Sequence, residues 1–227
     1  VATTDSKVVY TGIKFELTKG EIKLVAVDGF RMAIRKEKID YNGDDITFIV
    51  PSKTLSEVVK LAVSEEKEDY ISLGVGKRHI LFETGGYSII SRLLEGEFLN
   101  YKAAIPVTAS TTVKIDTRKF IDSVERTSLI ITDKTKSLVS CVFEDDSVKV
   151  HSVTALGTAN DRIDAQIEGN KVEIGFNNRY LLDALRACNT DMVRIELNGA
   201  VSPILILPPE GDDFIFLVLP VRLKKND

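Results

Sequence analysis

The chain of 227 residues has no tryptophan, two histidines and two cysteines, and each scarcity narrows its chemistry. His79 and His151 lie in strand-like patterns with no cysteine or carboxylate at metal-ligand spacing, so both are expected to be structural. Cys141 and Cys188 form no CxxC pair, which fits two free thiols in a reducing cytoplasm. No apolar run approaches the roughly 18–20 residues that cross a bilayer. No basic segment leads into an apolar stretch and a cleavage site, so neither a signal peptide nor a membrane partner is expected. HExxH, GxSxG, GxGxxG and the phosphate-loop pattern GxxxxGK(S/T) are all missing. Gly74-Val75-Gly76-Lys77 has the composition of a phosphate loop, but it joins two strand patterns and opens no helix. No two carboxylates are marked to converge on a pocket. Neither an enzyme nor a cofactor or metal is expected.

What is present belongs to an ordinary globular protein, with 44% hydrophobic and 28% charged residues. The formal charge of −4 argues against a surface that attracts nucleic acid everywhere. It leaves room for a local basic face, so the placement of the cations matters more than their sum.

The second half of the chain repeats the first. Glu21-Ile22-Lys23-Leu24 falls on Ser147-Val148-Lys149-Val150, an offset of 126 residues. At the same offset Leu55, Val58 and Val59 fall on Leu181, Ala184 and Leu185. After a two-residue slip, Ile71, Leu73, Ile80 and Phe82 meet Ile195, Leu197, Ile204 and Ile206. Solenoid units are shorter, roughly 20–50 residues, so each repeat here is a domain. The weakly periodic stretch 95–106 is the expected connection, which gives domains at 1–103 and 104–227. Residues 107–126 have no counterpart in the first half, so the first domain is expected to lack one strand and one helix, as in a fragment of a longer protein.

Short β-branched runs punctuated by Thr18-Lys19-Gly20, Asp28-Gly29, Gly85-Gly86, Asp145-Asp146 and Asn198-Gly199 predict strands and hairpins. Expected strands include 8–17, 87–94, 160–168 and 214–221. Three segments have helical spacing instead, 52–63, 117–128 and 178–188, with Ser52, Thr117 and Asn177 or Asn178 as N-caps. Runs of strands with isolated helices define an α+β class. The apolar stripes are Leu55, Val58, Val59 and Ala62; Phe120, Ile121 and Val124; and Leu181, Leu182, Leu185 and Cys188. Opposite them stand Lys53 and Lys60, Lys119 and Arg126, and Arg179 and Arg186, a basic pair seven residues apart on every helix. Cations so spaced can follow a phosphate backbone without reading bases. They can equally form surface pairs with Glu57, Asp122 and Asp183 along the same helices.

Four motifs in order add a resemblance. Val25-Ala26-Val27-Asp28-Gly29-Phe30-Arg31-Met32-Ala33 is similar to the TDGxRLA segment of the bacterial sliding-clamp family, the beta subunit of DNA polymerase III. Glu95-Gly96-Glu97-Phe98-Leu99-Asn100-Tyr101 is similar to that family's linker, Ile174-Gly175-Phe176-Asn177 to its IGFN, and Leu219-Pro220-Val221-Arg222-Leu223 to its C-terminal ending.

The resemblance implies repeated clamp domains, with antiparallel sheets outside and helices lining an inner surface that faces duplex DNA. It implies a non-catalytic processivity factor whose partners are the replicative polymerase's catalytic subunit, the clamp loader, other replication and repair proteins bound through linear peptides, and a second clamp subunit. The chain would supply the middle domain, without its first strand and helix, and the C-terminal domain. The DNA-facing set becomes Lys7, Lys53, Lys60, Lys119, Arg126, Arg179 and Arg186. The peptide wall becomes Tyr10, Val27, Gly29, Phe30, Arg31, Met32, Leu99, Ala104, Val201, Pro203, Leu217, Val218, Leu219, Pro220, Val221 and Arg222. Ile130 and Ile131 become the subunit interface. Phe30 stands where a histidine is frequent, Leu99 replaces the linker proline, and Ala103 and Ala104 replace larger residues. Lys224-Lys225-Asn226-Asp227 extends beyond the usual end. A clamp-fold peptide adaptor that does not encircle DNA is the alternative.

Overall fold

A computed structural model describes residues 1–3, 7–64, 70–132 and 138–223. The extension 224–227 therefore lies outside the described residues. The chain divides into two compact units, Val1–Gly29 with Ile34–Asn100, and Phe30–Ala33 with Tyr101–Asp227.

In the first unit, β1 (Gly12–Thr18), β2 (Glu21–Val27), β3 (Arg31–Lys38) from Ile34 onward and β4 (Ile46–Pro51) lie in the order β4-β1-β2-β3. The expected strand from residue 8 starts only at Gly12, because 8–11 close a 3-10 turn. In-register pairing sets Phe15 opposite Phe48, and their rings stack at 5.2 Å. Helix α1 (Ser52–Ser64) follows, then a three-stranded sheet of β5 (Ser72–Val75), β6 (His79–Thr84) and β7 (Tyr87–Arg92). Phe15, Leu17, Phe48, Val50, Val58, Ile80, Phe82 and Leu93 form the core.

The second unit carries two sheets and two helices. The elements are β8 (Thr111–Asp116), α2 (Thr117–Ser128), β9 (Leu138–Glu144), β10 (Ser147–Thr154), β11 (Gly157–Asp164), β12 (Gln166–Gly169), β13 (Val172–Asn177), α3 (Asn178–Arg186), β14 (Met192–Leu197), β15 (Ile204–Leu207) and β16 (Phe214–Val218). One sheet runs β12-β8-β14-β15-β16, the other β11-β10-β9-β13. The expected single strand 160–168 is two strands, because the chain leaves one sheet for the other at Ala165. Asp145 and Asp146 both take positive φ, 48° and 53°, the geometry of a tight hairpin turn. Phe120, Ile121 and Val124 from α2 meet Leu181, Leu182 and Leu185 from α3 in one core with both sheets.

Two helix caps differ from expectation or sharpen it. Asp116, not Thr117, caps α2 by accepting the Lys119 N–H at 2.8 Å. The Thr117 hydroxyl is instead used by the Thr190 carbonyl, to which it donates at 2.8 Å. Asn177 caps α3, accepting from the Arg179 and Tyr180 N–H groups. Both caps satisfy donors that a helix start leaves unpaired.

The repeat is unevenly covered. Val59, expected in the α1 stripe, is 60% exposed, whereas its counterpart Leu185 is fully buried. The reason is lateral: α3 packs against α2, and the first unit has one helix among its described residues. Likewise Ile71 and Leu73 are exposed beside the edge strand β5, while Ile195 and Leu197 are buried in β14 between β8 and β15. Leu185→Ala should therefore cost about 2–5 kcal/mol by the loss of a packed side chain. Val59→Ala should change stability by no more than about 0.5 kcal/mol, with urea unfolding as the measurement.

A local charge cluster closes the β9–β10 hairpin. Glu144 accepts from Lys149 at 2.7 Å and also pairs with Lys171. Hydrogen bonds from Lys149 and then Lys171 hold its carboxyl down from 4.5 to about 2. Because the folded value is the lower one, this contribution to stability is complete above pH 4.5 and lost as pH falls towards about 2. An NMR titration of the Glu144 carboxyl should show that depressed midpoint, and Lys149→Ala should raise it.

Candidate functional site

All six helix cations, Lys53, Lys60, Lys119, Arg126, Arg179 and Arg186, are exposed. Their partners differ from the simple helical pattern. Lys60 does bind Glu57, at 2.8 Å. Asp122, however, binds Arg118 at 3.0 Å, which leaves Arg126 to reach Asp161 on β11 at 2.5 Å. Asp183 binds Arg31 at 2.6 Å, and Arg186 turns to Glu125 on α2 at 2.7 Å. Two of the three expected pairs along one helix are thus replaced by pairs between elements, whose carboxylates lie closer. Lys53, Lys119 and Arg179 make no ion pair among the described residues. Lys7 sits off any helix, 5.6 Å from the Tyr10 ring. Exposed pairs of this kind contribute only about 0–1 kcal/mol, so a phosphate can compete for their cations.

A second constellation lies within the second unit around Phe30–Ala33. The Leu219 N–H donates to the Phe30 carbonyl at 2.9 Å. The Phe30 ring stacks on Tyr180 with centroids 5.8 Å apart. The Arg31 guanidinium lies 4.5 Å from the Tyr180 centroid while it holds Asp183. Tyr180 is absent from the residues expected from sequence. Its signal was available, since it is the one aromatic on α3 and lies off the leucine stripe.

The expected peptide wall divides by burial. Met32, Leu217 and Val218 are core residues of the second unit, and Val27 is core in the first. Phe30, Ala104, Val201, Leu219, Val221 and Arg222 are exposed in the second unit, with Arg31, Pro203 and Pro220 half-buried. In the first unit Gly29 and Leu99 are exposed, and half-buried Tyr10 meets Phe98 edge-on at 5.6 Å. A charge at Met32 or Val218 would disturb the fold before it reported on a surface, so the exposed members make the useful probes.

The chain's last described segment is fixed by Gly175. The Val221 N–H donates to the Gly175 carbonyl at 2.8 Å, a single bridge at the edge of β13. A Cβ on Gly175 would lie 2.7 Å from both the Val221 carbonyl oxygen and Leu223 Cδ2. The glycine of the IGFN segment and the ending Leu219–Leu223 therefore form one device.

After α2, Ile130 and Ile131 are half-buried, and the neighbouring Leu129 is 81% exposed. Burial pushes both the Cys141 and Cys188 thiols up to about 12.

Residues 102–222 match the family model of the DNA polymerase III beta subunit, C-terminal domain, and residues 1–100 match that of its central domain. The chain belongs to the DNA polymerase III beta subunit family. It is 32% identical over 225 residues to the beta sliding clamp of Staphylococcus aureus and 29% identical over 224 residues to that of Staphylococcus epidermidis. Each alignment covers 98% of this chain and 59% of the relative, so the chain spans about three-fifths of the relatives' length. The DNA polymerase sliding clamp of Bacillus subtilis superposes with a TM-score of 0.93 at 27% identity, covering 99% of this chain and 60% of that one. A Pseudomonas aeruginosa sliding clamp, solved bound to griselimycin, gives 0.87 at 27% identity over 98% and 60%. The fold is the α+β clamp architecture that the motifs imply.

Gly175→Ala should release the segment around Val221 without unfolding the sheet, because the two tightest contacts fall on Val221 and Leu223, which a single bridge joins to β13. Hydrogen exchange at the Val221 amide should accelerate, while exchange in β9 and β10 stays slow.

Proposed function

We propose that this chain forms part of a DNA sliding clamp, a processivity factor that tethers a replicative polymerase to duplex DNA and catalyses nothing itself. The observation that carries the reading is the end-to-end match to two consecutive beta-subunit domains. Residues 1–103 act as the middle domain and 104–227 as the C-terminal one. The helix faces support the reading chemically. Helices α2 and α3 expose Arg118, Lys119, Arg126, Arg179 and Arg186 against Asp122, Glu125 and Asp183, a modest cationic excess. A topological tether needs no tight contact, and weak, salt-sensitive phosphate contacts let a ring slide.

In the same reading, the surface at Phe30, Arg31, Leu219 and Val221, together with Tyr180, receives linear peptides from the polymerase, the clamp loader and repair proteins. An aromatic and aliphatic wall with few polar groups suits an extended peptide. Leu129, with Ile130 and Ile131, supplies the contact to a second clamp subunit. The clamp works in the cytoplasm, and among the described residues no helix is long and apolar enough to cross a membrane.

The test is topological. Joined to the part of the Staphylococcus aureus clamp that it does not match, this chain should close a ring retained on nicked circular duplex and lost once the circle is cut. Replacing Lys119 and Arg179 together by glutamine should shorten retention at low salt more than at high salt. A folded ring that is retained equally on linear duplex, or on neither form, would sink the tether.

A further inference from the structure

The outer face of β9, β10 and β11 carries a charge arrangement that packing does not explain. Strand alternation sends Cys141, Phe143, Val148, Val150 and Ile163 into the core of the second unit. Val142, Lys149, His151, Asn160 and Arg162 therefore point away from it, around a hollow of about 550 Å³. Asp161 also borders the hollow, but its carboxylate is turned towards α2, where it holds Arg126. None of these residues belongs to the proposed peptide wall.

The register sets Lys149 directly opposite Arg162. Side chains so placed have Cβ atoms about 4.5–5.5 Å apart, and like charges there destabilise a sheet. The other cross-strand neighbour of Lys149 is Val142, which brings no charge. Glu144 does bind Lys149, yet the same carboxylate serves Lys171, so one negative charge is divided between two lysines. Arg162 is exposed and makes no ion pair among the described residues. In the next row His151 stands opposite Asn160, so a ring N–H and a side-chain amide can donate beside the two cations.

A planar guanidinium fork, an ammonium point charge and two further donors over an apolar floor are suited to phosphate oxygens. A carboxylate would answer only one of the two cations, whereas a phosphate dianion answers both. A nucleic-acid backbone needs cations in succession. Here the pair is isolated, with Glu144 and Asp164 along the face in one direction and Val153 and Thr158 in the other.

We propose that this hollow binds a compact phosphate dianion, as carried by a diphosphate or a phosphate monoester. Its ligand relieves the repulsion between Lys149 and Arg162 and so tightens β11, the edge strand of this sheet, onto β10. The site is independent of the peptide and DNA readings above.

The experiment titrates the 227-residue chain with pyrophosphate in phosphate-free buffer containing about 150 mM sodium chloride, where exposed charges are well screened. Amide resonances of Lys149, His151, Asn160 and Arg162 should move together and saturate with a midpoint below about 1 mM. Arg162→Gln should weaken binding about tenfold or more, and Arg162→Lys, which keeps the charge but loses the fork, should recover part of it. Lys114→Gln, an exposed cation on β8, should change nothing. Unmoved resonances along β14 show that each variant is folded. ADP and adenosine identify the source: ADP binding more tightly than pyrophosphate marks a nucleotide, equal binding marks the free anion, and adenosine alone should not bind. Shifts that stay linear to about 10 mM, or that survive Arg162→Gln unchanged, would overturn the site. So would a short DNA duplex that moves the same amides at lower concentration than pyrophosphate, since the surface would then be a nucleic-acid contact.

Discussion

The packing of α2 against α3 is the contact on which the second unit depends. Each helix alone could bury one stripe against a sheet. Side by side they also bury each other's flanks, which is why Leu185 has no exposure where Val59 in the first unit has much. A fully buried aliphatic side chain is worth about 1.5–3 kcal/mol relative to an exposed one. The same contact fixes what remains outside. With Phe120, Ile121, Val124, Leu181 and Leu185 all turned inward, the charged residues of both helices have only the opposite face to occupy. Core and candidate DNA surface are therefore two sides of one packing decision.

That surface is organised by competition among carboxylates. Arg126 and Arg186 each have an acidic residue in reach on their own helix, yet each binds one on another element. The result ties α2 to β11 and α3 to α2 while it tempers the positive field. Unpaired arginines in a row would hold a phosphate backbone strongly and impede movement. Cations in exposed pairs stay available at little energetic cost, which suits the proposed role of a surface held near DNA rather than fixed to it.

Much of this was legible in the sequence, and the failures have physical causes. Stripes of period 3.6 mark all three helices, and short β-branched runs between turn residues mark most of the strands. Val59 was misplaced because its counterpart is buried by a neighbouring helix, and a single helix's periodicity carries no information about neighbours. Thr117 is a good capping residue by type, but its hydroxyl is taken by the tertiary contact with Thr190, and the preceding Asp116 caps the helix instead. The split of 160–168 was invisible because Ala165 bears no turn signal. Tyr180 was missed because its role depends on Phe30 and Arg31, which lie far away in sequence. Met32 and Val218 show the opposite limit, since an apolar residue in a motif can serve the core beneath a surface instead of the surface itself.

The Gly175 bridge shows how two distant motifs can be a single constraint. Neither IGFN nor the Leu-Pro-Val-Arg-Leu ending explains itself locally. Together they bring the segment around Val221 onto the edge of β13, at a distance that only a residue without a side chain permits. The bridge holds Val221 at 2.8 Å from the sheet, while two residues earlier Leu219 donates to Phe30. A segment held at both points presents Leu219 and Val221 in fixed register. Preorganising a wall in this way lowers the ordering cost that an incoming peptide would otherwise have to meet. In the proposed peptide site, Gly175 would thereby act on recognition through the backbone it lets come close.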